Sequence, residues 1–138
     1  MAEGIFRLRL QQAGLGHAFE LDSAGTGAWH VGEPPDSRAQ AAAARLGADL
    51  SGLRARQLAV ADLERFDLLL AMDRDNLRGI TRLRDAPAQA HLILPWLGMP
   101  GATEVPDPYY GDARDFERVA ALLDRCAERF LERFRQRA

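Results

Sequence analysis

Lysine is absent from this chain. All 18 of its basic residues are arginine, a bias of the kind a GC-rich bacterial genome imposes and one without mechanistic weight. Against 20 acidic residues they leave a net charge of −2. That argues against a nucleic-acid partner, since such proteins usually present a strongly basic face. Cysteine occurs once, as Cys126, so no intramolecular disulfide can form. The three histidines, at 17, 30 and 91, have no ligand-like spacing and no cysteine cluster beside them, which argues against a structural zinc site. No run approaches the ~20 consecutive apolar residues of a membrane span, and the first ten residues carry too many charges for a signal peptide. The expectation is a cytoplasmic protein with no membrane contact.

What is present fits one domain. Apolar residues make up 47% and charged residues 28% of 138 positions, ordinary values for a chain that buries a single core. In "MAEGIFRLRL" the apolar residues Ala2, Ile5, Phe6 and Leu10 recur near helical spacing. Glu3 comes early and Arg7 and Arg9 late, as the helix dipole favours. This helix has no capping side chain ahead of it and is expected to stop near Gly14. "HAFELDSAG" reads as a strand and "GAWHVGEPPDS" as a loop. Ser37 with Gln40 resembles a capping box opening a helix that Gly47 ends. "FDLLLAM" reads as a strand covered on both faces. Asp73 caps a helix carrying Leu77, Ile80 and Leu83, with Asn76 helping to fix it. "HLILPWL" reads as a third strand. The last helix shows one apolar stripe: Phe116, Val119, Ala120, Leu123, Cys126, Ala127, Phe130, Leu131 and Phe134. The alternation of strands and helices makes this an α/β domain, three-layered, with a mainly parallel sheet and helices on both faces. Three strands make that sheet thin, and the rhythm leaves the first helix without a strand before it.

Two loops could carry chemistry. "VPDPYYG" is a turn on its bland reading, opened by Asp107-Pro108 and closed by Gly111, with Tyr109 and Tyr110 packing locally. On the other reading it sets a carboxylic acid between aromatic walls, suited to protonating the leaving oxygen of an aromatic substrate. "AGTGAWHVGEPPD" offers Trp29 and a possible donor, His30, although an exposed loop aromatic often only covers the edge of a core. Both loops follow strand ends, where α/β proteins place ligand sites.

Together "MAEGIFR", "DSAGTGAWHVGEPPDSRA", "FDLLLAMDRDNL" and "VPDPYYGDARDFERV" resemble, in order and over nearly the whole chain, the low-molecular-weight protein tyrosine phosphatases. The resemblance implies hydrolysis of phosphotyrosine in a protein, or of an aryl phosphate, through a phosphocysteine formed on a Cys-x5-Arg phosphate loop. No metal or organic cofactor is implied. Asp107 matches the proton donor, needed because a phenol of pKa ~10 leaves poorly without a proton. Trp29, His30, Tyr109 and Tyr110 match the substrate-binding cleft, and Ser23 matches a serine that supports the phosphate loop. In the family that loop lies just before the residues matching "MAEGIFR". The first central strand, the nucleophile and the phosphate-binding arginine are therefore expected to be missing, so that residues 1–138 form one domain incomplete at its N-terminus. Cys126 is no substitute: it lies on an apolar stripe, and the sixth position after it is Glu132. Because the sheet is left with an open slot, these residues alone are expected to be poorly folded or self-associated and not to hydrolyse aryl phosphates. The alternatives are a noncatalytic phosphotyrosine- or partner-binding module and, less favoured for want of redox cysteines, an arsenate reductase-like protein.

Overall fold

The computed structural model describes residues 1–135. Helix α1 (Ala2–Gln12) forms without a side-chain cap at Met1, buries Ile5, Phe6 and Leu10, and ends at Ala13. Gly14 follows with φ 74°, the left-handed conformation that glycine adopts without a Cβ penalty. The buried face of α1 lies along α6 (Ala113–Arg135). Phe6 and Phe130 meet edge to face with ring centroids 5.5 Å apart. At the rim Arg9 grips Asp124 with two bonds, Nε to Oδ1 at 2.5 Å and Nη2 to Oδ2 at 3.0 Å. The stripe read along α6 is buried from Phe116 to Leu131, and Phe134 packs partly buried against the same core. On its other side α6 receives α2 (Ser37–Arg45), whose Ala39, Ala42 and Ala43 form a small-residue face that admits close approach. The completely enclosed side chains include Ile5, Leu10, Leu50, Ile93 and Leu94, each contributing about 1.5–3 kcal/mol of burial.

The sheet has two parallel strands, β1 (Leu69–Ala71) and β2 (Ala90–Leu92), in register Leu69 to Ala90 and Ala71 to Leu92. Between them runs α4 (Arg74–Leu83), the crossover a parallel pair requires. Asp73 caps it as expected, its carboxylate accepting Asn76 N–H at 2.8 Å. Leu63, Leu69, Ala71 and Ile80 form a second apolar cluster, with Leu77 and Leu83 packed against it. The architecture is therefore α/β, a parallel sheet with packed helices.

Several local expectations need correction. "HAFELDSAG" is not a strand: it begins with a 3-10 turn, Gly16–Ala18, and residues 19–24 join no ladder among the described residues, leaving only an isolated parallel bridge from Gly25 to Gln57. The third strand stops at Leu92, because Ile93–Trp96 turns into a short helix, α5. Pro95 sits in its first turn, where the missing N–H costs nothing. Asp36, not Ser37, caps α2, since its carboxylate accepts Arg38 N–H at 2.8 Å while Gln40 turns its amide to the Pro35 carbonyl. Finally, α3 (Val60–Arg65) was not anticipated. Buried Asp62 in its first turn accepts Ala59 N–H at 2.8 Å, so this helix is capped from inside.

Candidate active site

The segment leading to Asp107 is fixed at the carboxyl end of β1. Val105 N–H bonds to the carbonyl of Met72, one residue beyond the strand, at 2.8 Å. Glu104 reaches the same end, its Oε2 accepting the first amide of α4, Arg74 N–H, at 2.7 Å. The loop that follows has its own bonds. Asp107 Oδ1 accepts Tyr109 N–H at 3.0 Å, an Asx turn, and Gly111 N–H closes on the Pro108 carbonyl at 2.8 Å. Asp112 then starts α6 by accepting the amides of Arg114 and Asp115. Asp107 is exposed. Tyr109 and Tyr110 stand edge to face, 5.1 Å between centroids, and Tyr110 is 97% exposed.

The Trp29 loop is held at both ends by residues 55–58. Gly25 N–H bonds to the Arg56 carbonyl at 2.9 Å and Leu58 N–H to the Gly25 carbonyl at 2.7 Å. At the other end Gly32 N–H bonds to Ala55 and Ala55 N–H to Glu33. Gly32 has φ 85°, a turn conformation that a side chain would strain. Thr26 lies so close to Gly79 of α4 that any β-carbon there would overlap it, and the Trp29 ring folds over Gly27 in the same way. Trp29 is nevertheless 81% exposed. His30 Nδ1 lies 2.8 Å from Glu33 Oε2. Ser23 sits at the start of α1, its hydroxyl donating to Glu3 Oε1 at 2.6 Å.

Two charged clusters support these loops, and neither was singled out in the sequence. The first is Arg56 with Asp62: Nη1 and Nη2 each lie 3.0 Å from a carboxylate oxygen. Arg56 Nε also sits 3.1 Å from Asp22 Oδ2, an ion pair without hydrogen-bond geometry. The Arg56 guanidinium is the main cause that holds the Asp62 carboxyl below its ordinary value. The second is Asp36 with Arg38. Arg38 donates from Nε and Nη2 to the two Asp36 oxygens at 3.1 and 2.9 Å, from Nη1 to the Gly111 carbonyl at 2.8 Å and from Nη2 to the Tyr109 carbonyl at 3.0 Å. Its charge lowers the Asp36 carboxyl below the usual range, through the side-chain bond first.

The structure thus sets Trp29 and His30 on one anchored loop, and Asp107, Tyr109 and Tyr110 on another. The Trp29 loop rests on α4 through Thr26 and Gly79, and the segment just ahead of the Asp107 loop is tied to the start of α4 through Glu104. Ser23 is brought to the first turn of α1. Cys126 is brought to none of these places. It is fully enclosed in α6, and burial pushes its thiol up to about 11. Among the described residues no group of three His, Cys, Asp or Glu side chains converges to hold a metal, and no helix is long and apolar enough to cross a membrane.

Known proteins resemble this chain over nearly its whole length. The low molecular weight protein-tyrosine-phosphatase of Streptomyces coelicolor is 40% identical over 142 residues, covering 99% of this chain and 85% of that protein. The low molecular weight phosphotyrosine protein phosphatase of Homo sapiens is 34% identical over 136 residues, covering 96% and 85%. Among solved structures, YfkJ from Bacillus subtilis superposes with TM-score 0.89 at 33% identity, covering 99% of this chain and 86% of that one. The family model described as "Low molecular weight phosphotyrosine protein phosphatase" matches residues 1–138. From its first helix to its last, the chain belongs to the low molecular weight phosphotyrosine protein phosphatases, a family of phosphoric monoester hydrolases.

Proposed function

We propose that the two anchored loops are the substrate-facing part of a protein-tyrosine phosphatase site, with phosphotyrosine in a protein chain, or an aryl phosphate, as the ligand. One observation carries this reading. Trp29, Tyr109 and Tyr110 are large aromatic residues held out of the core on hydrogen-bonded loops, and one of those loops presents the exposed carboxyl group of Asp107. Flat rings held in this way suit a flat substrate ring better than a short alkyl phosphate. Asp107 is the proton donor to the leaving phenolate in this reading and afterwards activates water. Beside a phosphate dianion, like-charge repulsion favours the protonated form that the first step needs. Trp29, Tyr109 and Tyr110 wall the ring, His30 lies at the rim, and Ser23 supports the phosphate end of the site from the first turn of α1.

The hydrolysis also needs a thiolate nucleophile and a cationic holder for the phosphate. Within these 138 residues the only thiol is Cys126, and its burial in α6 removes it from the chemistry. The 138-residue polypeptide is therefore inactive by itself in this reading. A chain extended ahead of Met1 by an apolar strand and Cys-x5-Arg-Ser turns over phenyl phosphate. Turnover by the unextended polypeptide that survives Cys126→Ser would refute the assignment. The buried thiol favours a second reading, a noncatalytic phosphotyrosine-binding module. A phosphotyrosine peptide that binds the unextended chain and is released by Trp29→Ala would support it. The second edge of β1 has no partner strand among the described residues, which supports self-association as a property of the isolated polypeptide.

A further inference from the structure

We propose that Arg38 is the positioning residue of the Asp107–Gly111 loop, holding it against α2 through two backbone carbonyls. The functional meaning rests on the reading of Asp107 as proton donor, but the geometry stands independently of it. Among the described residues, the bonds from Arg38 to the Tyr109 and Gly111 carbonyls are the only hydrogen bonds joining residues 106–111 to another element. Val105 is tied to Met72 before this stretch, and Asp112 is tied to the start of α6 after it. The middle of the loop hangs on one guanidinium, reaching across 71 and 73 residues of sequence.

That guanidinium is fixed by two contacts of its own. Asp36 holds Nε and Nη2 in a two-pronged pair, and Asp36 is itself immobilised as the cap of α2. Below lies the ring of Phe116, 4.5 Å from the guanidinium carbon, which sets its plane by a cation–π contact. Phe116 is buried in the first turns of α6. The remaining N–H directions then point at the two carbonyls. Asp36, Arg38 and Phe116 form one bracket that carries the position of the helix layer into the loop. A lysine cannot replace it, because an ammonium group has no planar fork to grip a carboxylate and two carbonyls together.

The test is hydrogen exchange on the full chain, followed at Tyr109 and Gly111, whose amides make the two bonds inside the loop. In Arg38→Ala and Arg38→Lys these amides are expected to exchange about tenfold faster, with the core amides of α6 unchanged, since only a local opening is released. The near-ultraviolet circular dichroism of the Tyr109–Tyr110 pair weakens in parallel. Guanidinium ion added to Arg38→Ala, well below denaturing concentration, restores protection at both amides, which it cannot do for a residue that acts through bulk or helix stability. Asp36→Ser keeps a cap for α2 but frees the guanidinium, and speeds the same two amides by a smaller factor. The proposal is overturned if Arg38→Lys keeps both amides protected, if α2 and α6 lose protection to the same degree, or if guanidinium restores nothing. Exchange does not depend on hydrolysis, so a failure of Asp107 as proton donor and a failure of Arg38 as bracket are separately visible.

Discussion

Removing the carboxylate of Asp62 should loosen the whole support of the Trp29 loop, and the size of the effect follows from its three bonds. Asp62 accepts Arg56 twice at 3.0 Å and the Ala59 amide at 2.8 Å. Losing a cap costs about 1 kcal/mol. Stranding one member of a buried ion pair costs 3–5 kcal/mol, but the Arg56 side chain is 34% exposed, so roughly 2 kcal/mol is the fitting share. Asp62→Ala should therefore lose about 3 kcal/mol, or roughly 10 °C in Tm for a chain of this size. Asp62→Asn, which keeps one acceptor, should lose about half of that. The pH dependence has a definite sign. Asp62 titrates below its ordinary value in the folded protein, so its contribution is complete above the unfolded carboxyl pKa of ~3.9 and disappears as pH falls through the folded value. Urea unfolding, followed by tryptophan fluorescence at low protein concentration, should give the same gap between wild type and Asp62→Ala at pH 7 and pH 5, and a smaller gap below pH ~4. A gap under ~0.5 kcal/mol at pH 7, or one that persists undiminished into acid, would refute the reasoning.

Gly79→Ala should gain the ~1 kcal/mol of helix propensity yet destabilise the protein, because the new methyl overlaps Thr26. The double variant with Thr26→Gly should recover the loss, and additive effects in that cycle would mean that the loop does not rest on α4. Cys126 should resist thiol reagents in the folded chain at pH 8, since it is enclosed and its thiol stands near 11. Labelling at the rate of a free thiol would contradict its burial. Cys126→Ser should cost about 1–3 kcal/mol by burying a hydroxyl without a partner, read from the same unfolding curves.

The helices α1, α4 and α6 are legible because each buries one stripe at helical spacing, Asp73 announces the start of α4, and α2 shows itself through the Ser37–Gln40 spacing and the Gly47 beyond its end. Short elements were not legible. Val60–Arg65 has too few residues to show a period, and its cap comes from Asp62 inside the helix rather than from a residue before it. In "HLILPWL" a continuous apolar run hid the change from strand to helix at Ile93, and Pro95 was compatible with either. Asp107, Tyr109, Tyr110 and Trp29 stood out because exposed aromatics and Asp-Pro turns are local features. The bracket that supports the Asp107–Gly111 loop is not local: nothing in "PPDSRAQ" points to a loop more than 70 residues away. Asp36, two residues before Arg38, is a readable signal for the cap alone, and the Ser37–Gln40 spacing points to its neighbour instead.

The most direct test of the central claim is the dependence of Asp107 variants on the leaving group. In the chain extended by a strand and Cys-x5-Arg-Ser, kcat/KM, which reports departure of the phenolate and not the later hydrolysis of the phosphocysteine, is compared for phenyl phosphate and 4-nitrophenyl phosphate before and after Asp107→Asn. If Asp107 delivers the proton, the variant loses about 10²–10⁴-fold on the phenyl ester and far less on the nitrophenyl ester, whose phenolate leaves without help. Equal losses on both substrates, or none on phenyl phosphate, would contradict the account.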